Sequence, residues 1–156
     1  MPCLASDKDL KTVKIALPLL IAFGLAGAAV AQDAGKSVWQ GIYTAEQADR
    51  GAGVYAQRCG ACHGAALNGT GEAPPLIGGE FVSHWDTMTV GDLYDRVRTT
   101  MPQNDPQSMT REEYADVLAF LLKNNGFPAG TQPMDKRSEV LATIGITAEK
   151  PANSGG

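Results

Sequence analysis

Apolar and polar residues recur with helical spacing most clearly between residues 110 and 126. The apolar positions of this stretch are Tyr114, Val117, Leu118, Leu121 and Leu122. Positions three and four apart lie on the same side of a helix, so these residues form one broad apolar face. Thr110 with Glu113 is a capping-box pattern, and Asn125-Gly126 is a typical helix stop. The pattern predicts an amphipathic helix that packs its apolar face against a core.

A second helix is predicted before this one, from Thr44 toward residue 59. Thr44 with Gln47 forms another capping-box pattern at its start. Gly51 lies in its interior, where glycine costs about 1 kcal/mol relative to alanine. The close approach of another helix would account for this glycine, and local flexibility is the alternative explanation.

A third helix is predicted from Thr89, with Asp92 as the acidic residue of its first turn. It ends at Met101, because Pro102 disfavours a helical conformation for the residue before it. The segment Phe81–Trp85, just ahead of this helix, is predicted to be a loop or a short turn. A short amphipathic helix is also predicted near the C-terminus, at Val140, Leu141 and Ile144.

The first 31 residues have the pattern of an export signal. Three lysines precede an apolar run from residue 15 to residue 30, and Ala29-Val30-Ala31 matches an A-x-A cleavage site. The run is shorter than the roughly 20 residues of a membrane span. We therefore predict a cleaved signal peptide over residues 1–31, a mature chain that begins at Gln32, and a periplasmic location. An uncleaved N-terminal anchor is the alternative, and Cys3 lies inside the removed segment.

Charge and motif content exclude several classes of function. Residues 32–156 contain ten lysines and arginines against fifteen aspartates and glutamates, a formal charge of −5 that is scattered along the chain. There is no basic patch with interleaved aromatic residues, so nucleic acid is not an expected partner. The sequence also lacks a Gly-rich dinucleotide-binding motif and a P-loop. A mildly acidic domain suits transient, salt-sensitive docking on a basic rim of another protein.

The strongest chemical signal in the chain is Cys59-Gly60-Ala61-Cys62-His63, the C-x-x-C-H pattern of covalent haem attachment. On a helical turn, Cys59 and Cys62 can both reach one edge of a porphyrin and form thioethers, and His63 can offer a nitrogen to the iron. A thioredoxin-like redox pair would need a βαβ setting, which is not seen here. A zinc site would need four ligands, but the only other cysteine and histidine are Cys3 and His84.

Met101 is the predicted sixth ligand of the iron. It ends a helix, is followed by Pro102, and lies 38 residues after His63, which is enough chain to cross to the other haem face. His/Met ligation is an established haem arrangement. Met88, Met109 and His84 are the alternatives. Trp85 is a candidate for a hydrogen bond from its indole N–H to a haem propionate, and simple packing of this side chain is the alternative.

These residues together resemble the class I c-type cytochromes, over about residues 44–127. Cys59, Cys62 and His63 match the attachment motif, and Met101-Pro102 matches the ligand loop. Pro74, Leu76 and Gly78 match the family's P-x-L-x-G loop, which implies that the Pro74 carbonyl bonds the axial histidine. The resemblance implies an all-α class I cytochrome c fold, with three main helices packed around one covalently bound haem c. Finer similarity, in residues 85–101 and 125–130, is to single-haem cytochromes found alongside quinoprotein dehydrogenases of Gram-negative bacteria.

The resulting domain organisation has four parts. A signal peptide over 1–31 and an N-terminal lead over 32–43 precede a cytochrome c domain over 44–127. Residues 128–156 are predicted to be a C-terminal extension that wraps the domain and ends in a flexible tail. This long segment after Gly130 departs from the usual pattern of the family.

The expected function is electron transfer without catalysis. A single-haem carrier would cycle between Fe(III) and Fe(II), taking electrons from a dehydrogenase, such as a quinoprotein, and passing them to an acceptor such as a terminal oxidase. One alternative is a haem subunit fixed in a dehydrogenase or respiratory complex, with the extension as its docking element. The other is a five-coordinate haem enzyme or gas-binding protein. Contact with a membrane is expected only through a retained N-terminal segment or through such a complex.

Overall fold

The computed structural model describes residues 36–71 and 73–152. The predicted signal peptide and residues 153–156 of the predicted tail lie outside the described residues. Two strands, β1 and β2, span Lys36–Ser37 and Ile144–Gly145, and a 3-10 turn spans Val38–Gln40. The α-helices are α1 Ala45–Arg58, α2 Gly60–His63, α3 Gly78–Trp85, α4 Val90–Thr100, α5 Arg111–Asn124 and α6 Ser138–Leu141. The described chain is therefore dominated by helices, as predicted.

Threonine caps fix the starts of the three long helices. The hydroxyls of Thr44, Thr89 and Thr110 accept hydrogen bonds from the backbone N–H three residues later, at 3.2, 3.1 and 3.2 Å. Each satisfies a donor that the helix itself leaves unpaired. At α4 and α5 the acidic residue of the first turn completes a reciprocal capping box.

The expected capping box of α1 is only half formed. The side chain of Gln47, buried in the core, does not return to Thr44 but bonds the backbone of Met134 at both its amide atoms. Gln47 Oε1 accepts from the Met134 N–H at 2.7 Å, and Gln47 Nε2 donates to the Met134 carbonyl at 3.4 Å. The buried N–H and carbonyl of Met134 both need hydrogen-bond partners. They bind the Gln47 side chain, which is therefore not available to cap Thr44.

Helices α1 and α5 cross in close contact at Gly51. A Cβ atom added to Gly51 would lie 1.9 Å from the Asp116 carbonyl oxygen and 3.0 Å from Cβ of Phe120. The prediction that another helix approaches this glycine is confirmed. Next to the crossing, Arg50 makes two hydrogen bonds to the buried carboxylate of Asp116, at 2.8 and 2.9 Å.

The segment before α4 differs from its prediction. Phe81–Trp85, expected to be a loop or short turn, belongs to the eight-residue helix α3. Phe81 and Trp85 are both buried and lie one turn apart, with ring centroids 6.5 Å apart. Burial of this apolar pair supports a helix that lacks a side-chain cap at its N-terminus.

The lead and the extension are bound to each other and to the helices. Strand β1 pairs in parallel with β2, with Lys36 opposite Ile144. The Trp39 indole N–H donates to the Thr147 carbonyl at 2.9 Å. Near α6, a Cβ atom on Gly91 of α4 would lie 2.6 Å from the Ala142 nitrogen. The extension also buries four apolar side chains, those of Met134, Leu141, Ile144 and Ile146.

Among the described residues, no helix has both the length and the apolar character needed to cross a membrane.

Candidate haem site

The attachment motif occupies the turn directly after α1. Cys59 ends α1 by donating its N–H to the Tyr55 carbonyl at 2.9 Å, and its own carbonyl accepts from the N–H groups of Cys62 and His63 at 3.1 and 3.0 Å. The turn of α2 is therefore closed by Cys59. Tyr55 fixes the far side of this turn, since its hydroxyl donates to the Gly64 carbonyl at 2.7 Å. The structure thus brings both cysteines and the histidine together on a single turn.

The two cysteines of the motif have different surroundings. Cys62 is exposed and Cys59 is partly buried. Burial raises the pKa of the Cys59 thiol to about 11, although the nearby Arg58 acts in the opposite direction. The surroundings of Cys59 therefore favour an uncharged sulfur.

His63 is held in one orientation by the backbone of Pro74. The imidazole is only 7% exposed, and its Nδ1 lies 3.0 Å from the Pro74 carbonyl oxygen. Because a carbonyl can only accept, the proton of the neutral ring is assigned to Nδ1. Nε2 has no hydrogen-bond partner among the described residues. It is therefore the nitrogen with a lone pair available to a metal.

The Gly-rich loop after His63 folds back and places Pro74 against the ring. Gly69 donates its N–H to the His63 carbonyl at 2.9 Å, and the Thr70 hydroxyl donates to the Cys62 carbonyl. Gly69 has a φ of +74°, and a Cβ there would lie 2.4 Å from the Ala73 carbonyl oxygen. Only glycine fits both the positive φ and this close approach. The loop therefore depends on Gly69 to reach back to the attachment turn.

Met101 lies at the end of α4, where the chain becomes extended. Its φ and ψ are −127° and 148°, and its N–H still donates to the Val97 carbonyl at 2.9 Å. Its own carbonyl accepts from the Tyr114 hydroxyl of α5 at 2.9 Å. The side chain is partly buried, whereas Met109 and Met134 are buried in the core and Met88 is 37% exposed. Ligation by Met101 stays a prediction.

Trp85 ends α3 beside an open crevice. The indole is 8% exposed, and its N–H has no hydrogen-bond partner among the described residues. The exposed ring of His84 meets it edge-on, with centroids 5.2 Å apart. The crevice has a volume of about 510 Å³ and is lined by His84, Trp85, Met88, Asp92, Asp95 and Arg96. The N–H of Trp85 is thus available to an acceptor, and its contact with a propionate stays a prediction.

Sequence reasoning missed two residues that support the site. Tyr114 was assigned only to the apolar face of α5, but its hydroxyl holds the backbone of Met101. Asn125 was assigned only to the helix stop, but its side chain bonds the loop that carries Pro74, at Leu76 and Gly78. Their polar atoms contact residues 13 to 49 positions away. No local sequence pattern signals such contacts.

A C-x-x-C-H turn, an oriented imidazole and a methionine at the end of another helix define a c-type cytochrome domain. Residues 46–121 match the family described as "Cytochrome C oxidase, cbb3-type, subunit III". The match covers residues 46–121 and supports a class I c-type cytochrome domain there, and the predicted all-α class I cytochrome c fold is confirmed. A cytochrome c domain implies a haem cofactor and haem-based electron transfer.

Comparison with solved structures gives a match described as "Crystal Structure of the Sulfane Dehydrogenase SoxCD from Paracoccus pantotrophus". The two chains share 21% sequence identity with a TM-score of 0.48. The alignment covers 74% of this chain and spans 62% of the length of that chain. A search of curated protein sequences gives no significant match.

Proposed function

We propose that the mature chain is a periplasmic electron carrier with one covalent haem c. Cys59 and Cys62 would hold the haem through thioethers, and His63 and Met101 would ligate its iron. The observation that carries the proposal is the hydrogen bond from His63 Nδ1 to the Pro74 carbonyl at 3.0 Å. It leaves Nε2 as the free nitrogen, next to two cysteines whose spacing suits covalent attachment.

The protein contributes by fixing the two ligand side chains. A hydrogen bond at Nδ1 orients a metal-bound histidine and increases the basicity of its Nε2. A methionine sulfur is a soft ligand that favours Fe(II) and raises the reduction potential. When bound, the haem supplies a reversible Fe(III)/Fe(II) couple. If His63 and Met101 both hold the iron, O₂ and peroxide would find no free position on it, so electron exchange would be favoured over catalysis.

Both ligand segments are tied to the crossed helices α1 and α5. His63 lies one turn beyond α1, and the backbone of Met101 is bonded to Tyr114 of α5. A further bond joins the end of α1 to the loop after Met101, since Arg58 donates to the Ser108 hydroxyl at 2.7 Å. The ligands therefore share one rigid frame, and this limits rearrangement when the iron changes charge.

The expected partners are redox proteins. A dehydrogenase, with a quinoprotein as one candidate, would supply electrons, and a terminal oxidase or another cytochrome would accept them. The scattered charge of −5 over residues 32–156 favours transient docking on a basic rim, with rates that fall as salt increases. The predicted signal peptide supports a periplasmic location, where haem attachment follows export.

The ferric absorption spectrum of the exported, haem-loaded protein tests the ligand assignment. The weak long-wavelength charge-transfer band from sulfur to iron is expected in the wild type and should be lost in Met101→Ala. Met88→Ala is the matched control, because Met88 is exposed and flanks the same helix, and it should keep the band. A high-spin wild-type spectrum without the band would overturn the proposal.

Adding CO to the reduced protein distinguishes a five-coordinate haem from one that Met101 also ligates. A firmly held Met101 blocks the sixth position, so binding should be slow. Rapid binding in the wild type, at the rate seen in Met101→Ala, would instead support a haem enzyme or gas-binding protein.

A second candidate function is a haem subunit fixed in a respiratory complex. The observation in its favour is the description of the matched family, which names a subunit of an oxidase. Burial of Leu141 and Ile146 in the chain's own core counts against the extension as a docking element. Gel filtration of the purified protein, with a pull-down from periplasmic and membrane extracts, separates the two. A free monomer favours the carrier, and stable co-purification with a membrane complex favours the subunit.

A further inference from the structure

Asn125 has every polar atom of its side chain engaged in hydrogen bonds. Its Nδ2 donates to the carbonyls of Leu76 at 3.0 Å and Leu121 at 2.8 Å, and its Oδ1 accepts from the Gly78 N–H at 2.9 Å. Two of these bonds cross from the end of α5 to Gly78, the first residue of α3, and to Leu76 in the loop before it, 47 and 49 residues away. Ending a helix does not require hydrogen bonds to a distant segment such as Leu76 and Gly78.

The loop that Asn125 holds is the one that carries the Pro74 carbonyl. Both backbone polar groups of Leu76 are hydrogen-bonded. Its N–H donates to the Leu67 carbonyl at 2.7 Å, and its carbonyl accepts from Asn125. Pro74 and Pro75 precede it, and their rings fix φ near −65°. A stiff pair of prolines transmits the position of Leu76 to the Pro74 carbonyl. That carbonyl lies 3.0 Å from His63 Nδ1.

We propose that Asn125 is a positioning residue for the axial histidine. Its amide fixes the Pro74 carbonyl through Leu76 and Gly78, and so sets the strength of the hydrogen bond at His63 Nδ1. The role requires a side chain that both donates and accepts at this site, which an amide provides. This inference rests on the proposed ligation of iron by His63, but the hydrogen bond at Nδ1 can be measured whether or not His63 binds iron.

The chain contains a matched control one residue away. Asn124 has the same side chain, but it is exposed and donates only to the Phe120 carbonyl of its own helix, at 2.8 Å. Asn124→Ala removes an amide without touching the loop. Asn125→Asp keeps an acceptor for Gly78 and loses the donor for Leu76 and Leu121, so it is a second variant with a different change at the same site.

The decisive measurement is the solvent-exchange rate of the His63 Nδ1 proton, followed by NMR in the full-length reduced protein. Loosening the Pro74 carbonyl should speed this exchange about tenfold in Asn125→Ala and Asn125→Asp, with no change in Asn124→Ala. The reduction potential should rise in Asn125→Ala, because a weaker bond at Nδ1 makes Nε2 a poorer electron donor. In Asn125→Asp the added negative charge acts in the opposite direction, so the exchange rate is the readout for that variant.

Unchanged exchange in a folded Asn125→Asp protein would overturn the proposal, even if its melting temperature falls. The absorption spectrum of the wild type separates this result from failure of the proposed function. If the spectrum shows that His63 and Met101 do not bind iron, the proposed function fails. The exchange rate at Nδ1 still decides whether Asn125 positions the ring.

Discussion

Replacing Gly51 by alanine should destabilise the protein, although alanine is the better helix former. A Cβ at Gly51 would lie 1.9 Å from the Asp116 carbonyl oxygen, whereas carbon and oxygen normally approach to about 3.3 Å. Helices α1 and α5 would have to separate locally by about 1.4 Å. Overpacking of this kind costs about 3 kcal/mol when backbone opposes backbone, and the gain in helix propensity returns about 1 kcal/mol. The expected net loss is about 2 kcal/mol.

Gly53 provides the control on the same helix. It is exposed, and a Cβ added there meets nothing within 4 Å. Gly53→Ala should therefore stabilise the protein by about 0.5–1 kcal/mol through helix propensity alone.

The assay is thermal unfolding of the haem-loaded protein, followed by far-UV circular dichroism. At about 4 °C per kcal/mol for a domain of this size, Gly51→Ala should melt about 8 °C below the wild type and Gly53→Ala slightly above it. If Gly51→Ala melts at or above the wild type, the two helices do not meet at this glycine as described, and the reasoning fails.

Two further predictions concern the helix cap and the extension. Hydrogen bonds from the Thr110 N–H and hydroxyl lower the pKa of Glu113, so the cap contributes stability above pH 4.5 that is lost as the pH falls through the lowered pKa. The melting temperature is measured from pH 6 to pH 2.5. Glu113→Gln should reduce its fall at acid pH, because glutamine accepts the hydrogen bonds without titrating. The control Glu149→Gln, at an exposed site, should leave that fall unchanged, and equal slopes in the two variants would contradict the prediction. Truncation after Gly130 removes four buried apolar side chains, each worth about 1.5–3 kcal/mol, a sum comparable to the whole stability of a domain. The truncated protein should fail to melt cooperatively. A normal melt would mean that the extension is not part of the fold.

Local sequence signals predicted the long helices well because their determinants are local. The threonine caps at 44, 89 and 110 coincide with the observed N-caps of α1, α4 and α5. The crossing at Gly51 was also predicted, since a costly glycine inside a helix usually has a packing reason. Helix α3 was missed because it begins at Gly78-Gly79 without a side-chain cap, and only the spacing of Phe81 and Trp85 pointed to it.

Features that depend on distant partners could not be predicted. Strands β1 and β2 have two residues each, too few for any periodicity, and they form only because the two ends of the described chain meet. Gln47 matched a local cap, yet its partner is Met134. In the site, the attachment motif was identified from five consecutive residues, but the roles of Tyr114 and Asn125 appear only in three dimensions.

The contact between the lead and the extension, called the clasp here, consists of the β1–β2 pair and the Trp39 to Thr147 hydrogen bond. It has a kinetic consequence. The Trp39 to Thr147 bond joins residues 108 positions apart, whereas the turn around Cys59 is closed by bonds between residues three and four apart. Local turns form quickly, and contacts of high sequence separation pay a larger loop-closure entropy. We therefore expect the attachment turn to form well before the clasp closes. During that interval the attachment turn can form and reopen before the extension packs against the helices.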